Sequence, residues 1–386
     1  MIPRYKVPEI HEIWKTKNKL NTWLKVEIAH LESLKNNITD KTISEDEYYD
    51  ILHNVTLNID RWKEIESETK HDVQAFVQML EETVPNNSGR WIHYGLTSSD
   101  ILDTSLTLLC RETLQVVIDY CSSTLYYLNI LLKREETSSL ILSRTHGKAA
   151  EKQTYRDVIL RWTSYLRNSY DELLRVKSVM NKGKLSGAVG NNTYNSYQNE
   201  TNALRSLGLY PIKSSQIIPR YYYLDYFYAL LKVNIAVEKI AYDIRIYSID
   251  GINEMSEPFS KKQKGSSAMP HKKNPILTEN ICGLTRLYKS YMQTAIENCS
   301  SLLERDISHS SSERIIFKDG AHITCFCLKR LEEVIKGLNL NIDSAKQNLD
   351  IYMNDIHSQE KLKNFIHLGM SRKDSHDKVQ KTNNKI

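Results

Sequence analysis

The sequence predicts an all-α protein: a three-domain chain around a central bundle of long helices. Three observations lead there. Breakers are scarce, with 13 Gly and 8 Pro in 386 residues, and neither occurs in Leu96–His146 or Tyr221–Asp250. Apolar residues recur at helical spacing over spans too long for strands. Alternating apolar–polar runs, the mark of half-buried strands, are few.

Residues 1–96 form an N-terminal helical domain that ends in the breakers between Pro85 and Gly95. Residues 97–346 form the central bundle. Leu114, Ile118, Cys121, Leu125, Leu128 and Leu132 make one heptad-like seam, and Leu230, Val233, Val237, Ile240, Ile244 and Tyr247 make another. Each helix exceeds ~30 Å at 1.5 Å per residue. A third, less regular stripe runs through Ile159, Trp162, Leu166, Tyr170, Leu173, Val176 and Met180, and two more helices fall near 280–303 and 315–338. Five such helices carry more apolar seam than one chain can cover, which predicts a homo-oligomer packed helix to helix across subunits. Residues 347–386 form a short C-terminal helical piece.

Composition narrows the function. Hydrophobic residues make up 40% and charged residues 26%, ordinary for a soluble globular protein. The net charge is +5, but Ser371–Ile386 holds five Lys/Arg against two Asp and supplies +3 of it. The near-neutral body argues against a nucleic-acid partner. Six cysteines without a CxxC pair predict reduced thiols, with no disulfide framework and no metal site. The start, MIPRYKVPEIHEIW, lacks the apolar core of a signal peptide, and no run approaches the ~18 apolar residues of a membrane span. The expectation is a cytoplasmic protein that does not meet membranes.

Polar clusters sit at the same junctions as the breakers. WIHYGLTSSDILDTS offers His93, Thr97, Ser98 and Asp100 at a helix start, which suits either a simple cap or the reception of an anion. In SRTHGKAAE, Gly147 follows His146 directly and a helix is expected to begin; His146 is a candidate acid or base. KLSGAVGNN is either a flexible connection or a backbone nest for an anion. KKQKGSSAMPHKKNP, 261–275, has no P-loop spacing, but Lys272, Lys273 and Asn274 could hold a carboxylate while Gly265 frees Ser266 and Ser267 to move. ERDISHSSSERI places Arg305, Ser308, Ser310 and Arg314 where they suit phosphate or carboxylate. With Lys70, His71, Asp72, Arg4 and Tyr5, these junctions are rich in cations and hydroxyls. A small polyanionic substrate, handled by His and Ser without a cofactor, is the economical inference.

The strings MIPRY, HYGLTSSDILDT, RTHGKAAE, KLSGAVG, GSSAMPHKKNP and ERDISHSSSERI, in this order, resemble the adenylosuccinate lyase family of the fumarase/aspartase superfamily, and the resemblance runs from Met1 to about residue 380. That resemblance implies a homotetramer with active sites shared by three subunits. It also implies β-elimination of fumarate from adenylosuccinate, giving AMP, and from SAICAR, giving AICAR. Ser266 would be the general base and His146 the general acid, with His71 assisting. Lys272, Asn274, Thr97 and Ser98 would bind the succinyl carboxylates. Arg4, Tyr5, Arg305, Ser310 and Arg314 would hold the phosphate. Gln216 and His93 would orient the rest, and Lys70 and Asp72 would contact substrate beside His71.

Several positions depart from the family pattern. Lys70 stands in place of an arginine, Lys262 in place of a glycine, and Arg220–Leu224 (RYYYL) in place of an RDRHA-like run. Lys152, Arg156 and Asn191 replace a proline, a glycine and a threonine. The chain ends at Ile386, about 40–50 residues short of the family's usual C-terminal domain. The acid, base and carboxylate binders are all present, so activity is expected, weakened if anything, in a less stable tetramer. The readings set against this are a catalytically silent scaffold and an argininosuccinate-lyase-like enzyme.

Overall fold

The computed structural model describes residues 1–35, 43–260 and 262–383. Lys261, at the start of the basic loop, and the last residues of the C-terminal tail lie outside them. The helices are α1 (Pro8–Trp14), α2 (Thr16–Lys35), α3 (Glu45–Asn54), α4 (Ile59–Thr69), α5 (Asp72–Glu81), α6 (Ser98–Leu131), α7 (Tyr155–Val179), α8 (Tyr197–Ser206), α9 (Tyr221–Tyr247), α10 (Ile276–Glu297) and α11 (Ser308–Lys336). After them come α12 (Ile342–Ile351), α13 (Met353–Ile356), α14 (Ser358–His367) and α15 (Arg372–Asn383). Two short strands, β1 (Leu140–Thr145) and β2 (Lys148–Thr154), pair antiparallel. The all-α reading therefore holds, with α6 at 34 residues, about 51 Å of helix. The helices read near 280–303 and 315–338 are α10 and α11, each beginning earlier than its apolar pattern does.

Contacts divide the chain into two compact units. The first comprises Met1–Tyr120, Ser169–Asn234 and Arg286–Phe326; the second comprises Cys121–Asn168, Ile235–Thr285 and Cys327–Ile386. The predicted seams are buried except at Leu132, Tyr170 and Tyr247, which are half-buried: Leu114, Leu128, Leu230, Val233, Val237, Ile240, Ile244, Ile159, Trp162, Leu166, Leu173 and Val176 have no exposed surface.

In the first unit, Leu20, Trp23, Val26, Leu31, Phe76 and Leu80 form a core with Leu185 and Leu204. A second packing centre is Phe317, whose ring lies 4.6 Å from Phe227, 5.5 Å from Tyr226 and 5.6 Å from Tyr223. Local chemistry sets the helix ends. Ser44 and Glu47 close a capping box on α3, and Asn58 caps α4 through two backbone N–H groups.

The second unit holds the β1–β2 hairpin. Arg144 grips Glu254 through two nitrogens at 2.9 and 3.0 Å, and the buried Glu254 also accepts from Asn348 at 2.8 Å. The Tyr155 hydroxyl donates to the Glu254 carbonyl at 2.8 Å, and Leu142 packs with Leu349 and Ile356. These contacts root the hairpin, so its turn is presented from a fixed base.

Candidate active site

The expectation of a helix after Gly147 is corrected here. His146 and Gly147 are the two residues of the turn joining β1 to β2, with φ of 54° and 74°. Two successive residues at positive φ make the primed turn that suits a tight hairpin, and α7 begins only at Tyr155, where Thr154 and Asp157 exchange capping bonds. The pattern hid this because Ser143 sits in an irregularity between Leu142 and Arg144 that breaks strand alternation. His146 is exposed at the hairpin tip.

Also in the second unit, the basic loop leaves and rejoins the scaffold through one neck. The Glu257 carboxylate accepts from the Leu277 and Thr278 N–H groups and the Thr278 hydroxyl, all at 3.0 Å, which caps α10. Gly337 packs so closely on Pro258 that a Cβ there would lie 2.6 Å from the proline ring. Within the loop, Asn274 Nδ2 donates to the Gly265 carbonyl at 2.8 Å, and a Cβ on Gly265 would fall 1.9 Å from the Lys272 carbonyl. Ser266 Oγ accepts from Met269 N–H at 3.0 Å and Ala268 N–H at 3.3 Å. Two backbone dipoles aimed at one hydroxyl oxygen favour negative charge on it. Lys272 is exposed on the same loop.

In the first unit, a cavity of about 280 Å³ is lined by Asp72, Arg305, Ser310 and Arg314, four of the residues singled out in the sequence. Trp14, Trp23, Leu109 and Phe317 supply its apolar wall. Gln216 joins the group, since its Oε1 accepts from Arg305 at 3.1 Å. Arg314 pairs with Asp72 at 3.2 Å. Arg305 Nε is buried with no acceptor among the described residues. His71 caps α5, its Nδ1 accepting from Gln74 N–H at 3.1 Å, so the neutral ring carries its proton on the exposed Nε2. Lys70 ends α4 at φ 55°, exposed.

Other predicted residues stand apart from that lining. Arg4 and Tyr5 form a short 3-10 turn, Arg4 exposed and Tyr5 edge-on to Phe326 at 5.0 Å. His93, at φ 64°, gives both its N–H and its Nδ1 to the buried Glu27, at 3.0 and 2.7 Å. Burial opposes its charged form, but Glu27 more than offsets this and raises the His93 pKa. Thr97 precedes α6, and its N–H donates to Asp100 at 2.8 Å, while Ser98 is the first helical residue. Asp100 is itself tied to the fully buried Lys184 and accepts from Gly187 N–H at 3.2 Å. The helix start and the KLSGAVG segment are thus one assembly.

Sequence reasoning missed the charged floor of the cavity. Arg220 donates twice to Asp103, at 2.9 Å each, and meets Glu313 at 3.1 Å. Lys19 lines the same cavity and lies 4.6 Å from the Trp23 ring. Only the helical placement of Asp103 one turn below the TSSD cap hinted at this floor. The RYYYL departure is absorbed locally: the Tyr223 hydroxyl donates to the Asp103 carbonyl at 3.0 Å, and the Tyr222 hydroxyl accepts from Lys182 N–H at 2.9 Å.

A family model described as Lyase matches residues 4–288. Among solved structures, a fumarate lyase from Mesorhizobium sp. BNC1 aligns with a TM-score of 0.85 at 20% identity, over 97% of this chain and 85% of that one. A 3-carboxy-cis,cis-muconate lactonizing enzyme from Pseudomonas putida gives 0.82 at 18% identity, over 98% and 85%. The fold is that of the fumarase/aspartase superfamily of lyases. Adenylosuccinate lyases from Bacillus subtilis and Thermotoga maritima are 35% and 34% identical over 98% and 99% of this chain, and over 87% and 88% of their own lengths. The chain belongs to the adenylosuccinate lyase family. Among the described residues no helix is long and apolar enough to cross a membrane.

Proposed function

We propose that the protein is a carbon–nitrogen lyase that cleaves adenylosuccinate to AMP and fumarate, and SAICAR to AICAR and fumarate, with Ser266 as base and His146 as acid. The observation that carries the assignment of Ser266 is the pair of N–H donors from Ala268 and Met269 on its oxygen. A serine is too weak an acid to ionise at neutral pH unless its alkoxide is stabilised. Fixed backbone dipoles do this once water is excluded, and Lys272 adds a cation.

The alkoxide takes the proton from the succinyl Cβ. The electrons of that C–H bond form the Cα–Cβ double bond as the C–N bond breaks, and His146 gives its proton to the departing nitrogen. The charge that builds on the succinyl carboxylates falls to Lys272, Asn274, Thr97 and Ser98. His71, fixed as an Nε2 donor by its capping bond, assists His146. Arg305, Ser310 and Arg314, with Arg4 and Tyr5, hold the phosphate; the unpaired Arg305 Nε supports this. Gln216 and His93 orient the nucleotide, and Lys70 and Asp72 complete its surroundings.

We further place the enzyme in the cytoplasm as a homotetramer whose active sites draw on three subunits. Among the described residues none of its six cysteines forms a disulfide, which suits a reducing compartment. Tyr221, Tyr228, Ile235 and Tyr242 recur every seven residues along α9, and each is 46–65% exposed. That second heptad face, left open beside a buried one, is suited to helices from other copies. We place the chain's three parts at 1–96, 97–346 and 347–386. Release of AMP and fumarate from adenylosuccinate by the purified protein tests the reading; turnover of argininosuccinate instead would overturn it.

A further inference from the structure

The cavity of the first unit contains a group that anion binding alone does not require. Glu313 lies on α11 between Ser310 and Arg314 and lines the same cavity. It shares the Arg220 guanidinium with Asp103. Asp103 has the better share: two bonds from Arg220 at 2.9 Å and one from Ile218 N–H at 2.7 Å. Glu313 meets only the remaining edge, at 3.1 and 3.3 Å. The side chains of Arg220, Asp103 and Glu313 are 5%, 3% and 12% exposed, so two carboxylates compete for one cation with little water to help either.

The other titratable and charged groups that influence Glu313 or share its cavity are Arg305 from the chain entering α11, His309, Arg314 and Lys318 on α11 itself, Lys19 on α2, Asp72 on α5, Cys110 on α6 and Cys299 beyond α10. Burial keeps His309 neutral, lowering it to about 4, and pushes both thiols up. Asp103 therefore opposes ionisation of Glu313, and Arg220 and Arg305 favour it. Burial, the largest influence, tips the balance and holds the carboxyl at about 7.

We propose that Glu313 is a proton-linked partner of the phosphate pocket, taking up a proton when a phosphomonoester dianion seats on Arg305, Ser310 and Arg314. This rests on the phosphate reading of the cavity given above. A dianion engages Arg305, one of the two cations that favour the ionised carboxylate, and adds like charge beside it. By linkage, phosphomonoester affinity falls as pH rises through the Glu313 titration, by at most about tenfold per pH unit. Glu313 is thus a specificity and positioning residue that keeps the pocket's net charge matched to its ligand.

The test is calorimetric titration of AMP into the full chain, wild type and Glu313→Gln, at pH 7 in buffers of different ionisation enthalpy. The wild type is expected to take up about half a proton more than the variant, and the variant's affinity to change less between pH 6 and 8. If Glu313→Gln does not fold, Glu313→Ala takes its place in the same comparison, and the wild type alone can still overturn the inference. Near pH 6 the phosphate's own ionisation, with a pKa of about 6, releases protons on binding, so net uptake above pH 7 comes from the protein, and its loss in the Glu313 variant assigns it to Glu313. AMP binding with equal uptake in both proteins, or with no uptake above pH 7, overturns the inference and leaves the pocket reading intact. No AMP binding by a folded wild type overturns both.

Discussion

Arg220 closes a two-point ion pair on Asp103, with both N–O distances at 2.9 Å and both side chains almost fully buried. Removing Asp103 leaves the buried Arg220 with Glu313, at 3.1 Å on one edge, as its carboxylate partner, in a medium that solvates it poorly. Asp103→Ala is therefore expected to cost about 3–5 kcal/mol, read as a lower urea midpoint at unchanged slope. The joint replacement Asp103→Leu with Arg220→Met should cost less than the single change. Equal costs would show that the pair does not govern stability here.

At the hairpin turn, position 146 needs both a left-handed backbone and an imidazole. Asn adopts positive φ readily but cannot donate a proton from a ring. His146→Asn should keep the wild-type circular dichroism and melting temperature while kcat falls about 10²- to 10⁴-fold. Wild-type turnover would remove His146 from the acid role.

Gly265 is crowded by the Lys272 carbonyl, 1.9 Å from where a Cβ would sit. Gly265→Ala must push the two sides of the loop apart and disturb the donors on Ser266. Activity should drop by about 10²-fold or more, the scale of losing one oxyanion donor, while the melting temperature stays near wild type because the Glu257 neck is untouched. Full activity would mean that the loop's own closure is dispensable.

His322 Nδ1 accepts from Val7 N–H at 3.0 Å, and burial lowers its pKa to about 4. The unfolded chain, with a value near 6.5, binds this proton first as pH falls. The stability that His322 contributes is thus complete above pH 6.5 and is lost as pH falls through about 4. His309, also at about 4, acts in the same direction. Glu313 acts oppositely: its contribution is complete below 4.5 and is lost as pH rises through about 7. His322→Gln, which can still accept from Val7, should flatten the acid limb by about 1.4 kcal/mol per pH unit, measured by urea unfolding between pH 4.5 and 6. An unchanged limb would contradict this.

The long helices were legible because their seams repeat locally: every fourth or third residue from Leu114 to Leu128 is buried. The polar clusters were legible because breakers and caps are also local. What escaped depends on pairing across the chain. Arg220 and Asp103 are 117 residues apart, and Lys184, fully buried on Asp100, reads in sequence as an ordinary solvated lysine. The hairpin bearing His146 escaped because its strands are short and interrupted at Ser143, so their alternation never rises above the helical background.

Ser266 is the residue on which the proposed chemistry depends most. The decisive measurement is the rate at which adenylosuccinate is converted to AMP and fumarate by the wild type and by Ser266→Ala under saturating substrate. A measurable wild-type rate is expected, with a loss of about 10²-fold or more in the variant and AMP still bound normally. A variant that turns over as fast as the wild type would contradict the base role of Ser266.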